Sequence, residues 1–246
     1  MKKYKISAVS YLNTSPFINE INRSSINNQI DMSLDYPSIC GEKLIENIVD
    51  IALVPTVLLR SNSRIRVISD YCIGAVGKVD SVCLYSKVPL NEIDDIYLDY
   101  QSKTSVELLK ILCRDYWNIN PNFISDNNDF DKNIKDMNSA LVIGDRAFLL
   151  NKEYDFVYDL SEYWYRYTGL PFVFACWAAN KDIDRRFLEL FNKVLSLSVK
   201  NIELHTKNHK HHICPDVKDY LTNKISYHLD VSKKKGMSLF LDKITL

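Results

Sequence analysis

The chain predicts an α/β protein. Short strand-like runs alternate with segments of helical periodicity along nearly the whole length, the arrangement expected of layered α/β architecture. Hydrophobic residues make up 46% and aromatics 11% of 246 residues, enough to bury a sizeable core in one large or two modest domains. No internal repeat and no low-complexity linker interrupts the alternation, so two domains, if present, are joined by strands and not by a tether.

The first element is a strand over Lys5–Val9, where Ile6, Ala8 and Ser10 alternate with Lys5, Ser7 and Val9 as near a sheet centre. Ser15 and Pro16 then form an N-cap and first-turn pair. The polar turn Tyr11 to Thr14 therefore sits at a strand's carboxyl end and against a helix N-terminus, where α/β proteins hold anions. Strands follow at Ile30–Asp35, Ile51–Val54, Ile65–Ser69, Ser81–Tyr85 and Asp95–Asp99, with helical spacing of Ile39, Leu44, Ile45 and Ile48 between the first two.

The best-defined helix runs from Ser105 to Trp117, with Val106, Leu109, Leu112, Cys113 and Tyr116 on one stripe and Thr104 with Glu107 at capping-box spacing. Further strands are expected at Asn122–Ser125, Ser139–Ile143, Phe156–Asp159 and Phe172–Ala178. A second long helix spans Asp184 to about His205, with Phe187, Leu190, Phe191, Val194, Leu195 and Ile202 inward.

Composition narrows the partner. Lys plus Arg (31) balances Asp plus Glu (31), so no global field recruits nucleic acid or an acidic membrane, and a small molecule fits better. No run of about 18 apolar residues occurs, which argues against a membrane span, and the opening residues lack the pattern of a signal peptide, so a cytoplasmic location is expected. Cys40, Cys72, Cys83, Cys113, Cys176 and Cys214 have no CxxC spacing and read as small buried hydrophobes, with no disulfide and no metal expected. His205, His209, His211 and His212, beside Lys207 and Lys210, read as a solvated helix end and not a metal site; the Lys233-Lys234-Lys235 run reads as solvated surface.

Several blocks recur in order. Tyr11-Leu12-Asn13-Thr14 with Pro16, the run Ser81 to Leu90, Lys103-Thr104-Ser105-Val106, Leu141 to Ala147, Thr168 to Ala175 and Tyr220 to Tyr227 together resemble the chorismate dehydratase family of the futalosine route to menaquinone. The resemblance covers nearly the whole chain. It departs at Ile73 to Asp80, which lacks the small and proline-containing character expected before Ser81, and at Cys83 and Cys176, where an aliphatic is more usual.

The resemblance implies a two-lobed fold like that of type II periplasmic binding proteins with two strand crossovers. The first lobe would comprise residues 1–84 and 176–246 and the second 85–175, with crossings near Leu84–Lys87 and Val173–Cys176. It further implies dehydration of chorismate to 3-[(1-carboxyvinyl)oxy]benzoate in the cleft, with no cofactor. Oligomeric state is not legible.

A dianionic ring needs orientation, carboxylate binding and one proton acceptor. The Asn13-Thr14-Ser15 and Lys103-Thr104-Ser105 turns offer two helix N-termini from opposite lobes, each able to take one carboxylate through backbone N–H groups and hydroxyls. Asn13 is the expected catalytic residue: its amide can donate to the departing hydroxyl or to a developing dienolate, although it has no titratable group. The substrate's own enolpyruvyl carboxylate would then take the proton. Tyr11, Thr14, Thr56, Ser81, Ser86, Thr104, Ser105, Gly144, Asp145 and Phe172 are the expected binding residues; Asp145 could also be a base, but an Asp in this position is more often an N-cap, and Phe172 would wall the ring pocket. Alternatives are the related 1,4-dihydroxy-6-naphthoate synthase, a non-catalytic small-anion binding protein, and a regulator's effector domain.

Overall fold

The computed structural model describes residues 3–125, 138–150, 154–206 and 213–245. In chain order the elements are β1 (Tyr4–Val9), α1 (Ser15–Arg23), β2 (Ile30–Asp35), α2 (Pro37–Ile45), β3 (Ile51–Pro55), α3 (Leu58–Ser61) and β4 (Arg66–Ala75). There follow β5 (Val82–Ser86), β6 (Asp95–Tyr97), α4 (Lys103–Leu112), β7 (Asn122–Ile124), β8 (Ser139–Ile143), α5 (Ala147–Leu150), β9 (Phe156–Asp159) and α6 (Leu160–Thr168). The chain ends with β10 (Phe172–Ala179), α7 (Arg185–Lys200), α8 (Ile202–Thr206), α9 (Val217–Asp219), β11 (Ser226–His228) and α10 (Val231–Lys243).

Two mixed sheets result. The first has the order β11-β4-β10-β3-β1-β2 and the second β7-β6-β8-β5-β9. In the first, β1 pairs in parallel with β2 and β3, while β10 runs antiparallel to β3 and β4. β10 and β11 thus return the chain to the sheet it left after β4. The strands nearest the centre are buried on both faces, as Ile51 to Pro55 shows, which accounts for their near-continuous apolar sequence.

The chain changes sheets between Ala75 and Val82 and again between Thr168 and Phe172. All of β5 lies in the second sheet and all of β10 in the first, so these passages fall before the crossings expected at 84–87 and 173–176. The first passage is anchored by Asp159 at the end of β9. Its carboxylate accepts from Val79 N–H (2.9 Å) and Asp80 N–H (2.6 Å) while also capping α6 through Ser161 N–H (3.0 Å) and Glu162 N–H (3.1 Å). Burial still pushes the carboxyl up to about 6.

Three other expectations shift. Helix α4 starts at Lys103, not Ser105, because Ser102 is the cap: its Oγ accepts Ser105 N–H at 3.2 Å. The last turn of that helix, Cys113–Trp117, widens to π geometry and ends on Asn118 in the left-handed region (φ 54°). The long C-terminal helix breaks at Asn201 into α7 and α8. Lys233 is buried, not solvated, its ammonium 2.8 Å from the Asp230 carboxylate. His209, His211 and His212, with Lys207 and Lys210, lie outside the described residues, as does the side chain of His205.

Aromatic packing joins the layers. Phe17 of α1 meets Trp177, Tyr71 and Tyr227 edge-on, and Trp164, Phe172 and Phe240 form a second edge-to-face cluster. All six cysteines are buried. Among the described residues no helix is long and apolar enough to cross a membrane.

Candidate functional site

A narrow crevice lies where the carboxyl ends of β1 and β8 approach each other. From the first sheet's side it is lined by Val9, Tyr11, Asn13 and Pro37, and from the second by Ser102, Ser105, Ile143 and Gly144; Ser81 and Val82 enter from the passage between the sheets. Its volume is about 40 Å3, room for about three water-sized molecules. That is well below the roughly 150 Å3 of a cavity that holds a benzene ring.

The contacts across the crevice are specific. Leu12 N–H donates to both oxygens of Asp145 (3.1 and 3.2 Å), and Val57 N–H donates to Thr104 Oγ1 (3.2 Å). Ser38 N–H reaches the Gln101 carbonyl at 3.2 Å, and the Tyr11 phenol donates to Gln101 Oε1. Burial, then the negative charge of Asp99, raises the Tyr11 phenol far above its ordinary pKa, so it stays protonated as a donor. Asp99 is itself buried, bonded to Arg146 (2.6 Å) and to the N–H groups of Ile143 and Gln101 (both 2.9 Å). Burial raises its pKa, and Arg146 opposes that rise.

Asn13 is held on every side. Its Oδ1 accepts from Thr14 Oγ1 (3.1 Å), and its backbone carbonyl accepts from the Tyr227 phenol (2.9 Å). The bond from Thr14 turns the Asn13 amide nitrogen toward the crevice side as a donor. Tyr220 donates to Ser81 Oγ at 2.8 Å.

The crevice thus gathers Tyr11, Asn13, Ser81, Ser105 and Gly144 from the expected set. The others are placed differently. Thr14 supports Asn13 from behind, and Thr104 spends its hydroxyl on Val57. Asp145, in the turn Gly144–Arg146, is not part of the cavity lining and accepts from Leu12 N–H. Thr56 donates to the Val173 carbonyl (2.8 Å) at the end of β3, satisfied within the sheet. Ser86 lies four residues along β5 from Val82, about 13 Å away, and closes a local turn on Val88. Phe172 is core, packed on Trp164 and Phe240, whereas Phe174 lines the crevice.

The backbone cradles expected of the two turns are largely closed by the protein itself. Leu12 N–H serves Asp145, Thr14 N–H the Tyr11 carbonyl (3.0 Å), and Ser105 N–H the Ser102 cap. The polar capacity facing the cavity is therefore mainly side-chain: the Asn13 amide and the hydroxyls of Ser81, Ser102 and Ser105.

The model of a family described as menaquinone biosynthesis matches residues 4–245. The chain belongs to this family. Among curated relatives, a chorismate dehydratase of Thermus thermophilus is 25% identical over 241 residues, covering 85% of each chain. Among solved structures, a protein of Archaeoglobus fulgidus superposes with a TM-score of 0.75 at 10% identity, covering 98% of this chain and 96% of that one. A Candida albicans protein described as having the generic periplasmic binding protein fold superposes with a TM-score of 0.58 at 11% identity, covering 98% and 90%. The two-sheeted α/β architecture is thus periplasmic-binding-protein-like, as the menaquinone biosynthesis family resemblance implied.

Sequence reasoning missed Gln101, Ser102, Tyr220, Tyr227 and Phe174. The Tyr220 to Tyr227 block was visible as a matching segment, but nothing local marked the Tyr227 phenol as reaching the Asn13 turn or the Tyr220 phenol as reaching Ser81.

Proposed function

We propose that this protein dehydrates chorismate to 3-[(1-carboxyvinyl)oxy]benzoate, in the cytoplasm, at the entry to the futalosine route to menaquinone. The observation that carries the reading is the crevice itself. It sets the Asn13 amide from one side against the hydroxyls of Ser81, Ser102 and Ser105, within a chain of the menaquinone biosynthesis family that has a curated relative named chorismate dehydratase.

The reaction removes the ring C3 hydrogen as a proton and the C4 hydroxyl as water, and the electron pair of the C3–H bond becomes the C3–C4 π bond of the aromatic ring. The C3 hydrogen is acidified through the double bond conjugated to the C1 carboxylate. The protein's task is then orientation and hydrogen bonding to the charge that develops. Asn13 is the donor to the departing hydroxyl or the dienolate. Among the described residues no His or carboxylate lines the cavity, and the enolpyruvyl carboxylate tethered beside C3 takes the proton and passes it to the departing C4 hydroxyl, which leaves as water.

The ligand is admitted by separation of the two sides, which breaks the Leu12–Asp145 contact and frees that N–H for a substrate carboxylate. Incubating the purified protein with chorismate and following the carboxyvinyl ether of benzoate by chromatography tests the reading. Binding without product would favour a non-catalytic anion receptor, and turnover abolished by one Asp or Glu substitution with the fold intact would identify a protein base instead.

A further inference from the structure

We infer that Tyr220 is a positioning residue that aims the Ser81 hydroxyl into the crevice, through the hydrogen bond its phenol donates to Ser81 Oγ. The inference rests on the dehydratase reading and extends it to a residue at the other end of the chain.

Tyr220 comes from the π turn Tyr220–Lys224, is 2% exposed, and is fixed by an edge-on contact with Phe148 (centroids 5.0 Å apart). A phenol has one proton, and Tyr220 places it on Ser81 Oγ at 2.8 Å. Ser81 Oγ is then the acceptor in that bond, so its own proton must point elsewhere. Among the described residues no acceptor takes it, and Ser81 lines the cavity. The free direction is the crevice.

Burial, the largest influence on Tyr220, raises its pKa far above the ordinary phenol value, so the donor persists across the working pH range. The Ser81 carbonyl is meanwhile pinned by Gly144 N–H at 2.8 Å, so the serine backbone cannot swing to compensate.

Ser81 so oriented gives a hydrogen bond, not a proton, to the departing C4 hydroxyl. The alternative role for Tyr220 is structural, a polar tip satisfied inside a core. The two differ in what removal of one oxygen does to turnover and in whether that effect passes through Ser81.

The test is a double-mutant cycle of Y220F, S81A and the pair, with kcat and KM measured on chorismate and folding checked by circular dichroism and thermal melting. Y220F should lower kcat about tenfold with KM within about twofold of wild type, and S81A about a hundredfold, as for loss of one donor to a transition-state oxygen. Adding Y220F to S81A should then change kcat by less than about twofold. Equal effects of Y220F in both backgrounds, or a wild-type kcat in Y220F, would overturn the inference while leaving the dehydratase reading in place. Wild-type protein that makes no product would overturn both. If Y220F does not fold, 3-fluorotyrosine at position 220 retains the hydroxyl and makes it a stronger donor; kcat should rise with Ser81 present and not in S81A, and an unchanged kcat with Ser81 present overturns the inference.

Discussion

Gly144 lies so close to the Tyr11 ring that a β-carbon on it would stand 2.7 Å from the ring's Cζ, and its φ of 68° is in the left-handed region. Two independent constraints therefore require glycine, one from the backbone and one from a ring on the opposite side of the crevice. G144A should lose about 3 kcal/mol of stability, combining about 1–2 kcal/mol of backbone strain with a clash. Removing the ring should recover part of this. In a Y11A background the cost of G144A is expected to fall to the strain alone, and urea titrations of the four proteins would read the difference. Additive costs would mean that the ring moves aside freely.

The Asp145 carboxylate holds Leu12 N–H from across the crevice at 3.1 Å, keeping the two sides together at the place where a dianion is proposed to enter. A closed population lowers apparent affinity by the fraction that is competent to bind, and a carboxylate at the mouth repels the ligand as well. D145N removes the repelling charge and weakens the clasp to a neutral hydrogen bond. Calorimetry should find chorismate bound about three- to tenfold more tightly by D145N than by wild type, with the gain shrinking in high salt. Weaker binding would mean that this carboxylate helps to grip the ligand.

The layers and most of the strands were legible because apolar periodicity is a local property. Ile30–Asp35 and Phe156–Asp159 match the strands β2 and β9, while β4 runs on to Ala75 through Gly74. That glycine marks close packing and not a break, since a β-carbon there would meet the Phe172 carbonyl at 2.7 Å. Within the site, Tyr11, Asn13, Ser81, Ser105 and Gly144 were legible because they stand in motifs at strand and helix ends. Phe172 misled because β10 carries a register shift between Val173 and Ala175, an irregularity that re-aims Phe174 toward the crevice. Ser86 misled because the passage between sheets comes before β5. Tyr220 meets Ser81 across 139 positions, a relationship no window of sequence contains.

Stability should carry a pH signature from Asp159. In the unfolded chain this carboxyl titrates near its ordinary value of about 3.9, whereas burial raises it to about 6 in the fold. The folded state binds the proton more tightly, so the contribution is fully present below the unfolded pKa and is lost as pH rises through 6. D159N has no such titration. The stability of wild type relative to D159N should fall by on the order of 3 kcal/mol between pH 4 and pH 7, read from urea unfolding at each pH. A flat difference would assign Asp159 an ordinary pKa.

Asn13 offers the sharpest test of the chemistry, because two substitutions separate its roles. The Thr14 hydroxyl donates to Oδ1, so the amide nitrogen is the group left to donate into the crevice that Asn13 lines. N13A removes donor and acceptor together. N13D keeps the acceptor for Thr14 but replaces the donor with a negative charge facing a dianion. If Asn13 stabilises the developing charge, N13A should lower kcat on chorismate by about 100- to 1000-fold, the usual cost of one lost transition-state donor, with a modest change in KM. N13D should lose at least as much in kcat and also raise KM, since like charge repels in the ground state. Steady-state kinetics together with melting temperatures would resolve the two parameters from stability. Near-normal kcat in N13D would mean that a carboxylate at this position can serve as the proton acceptor, and the substrate-assisted route would then be unnecessary.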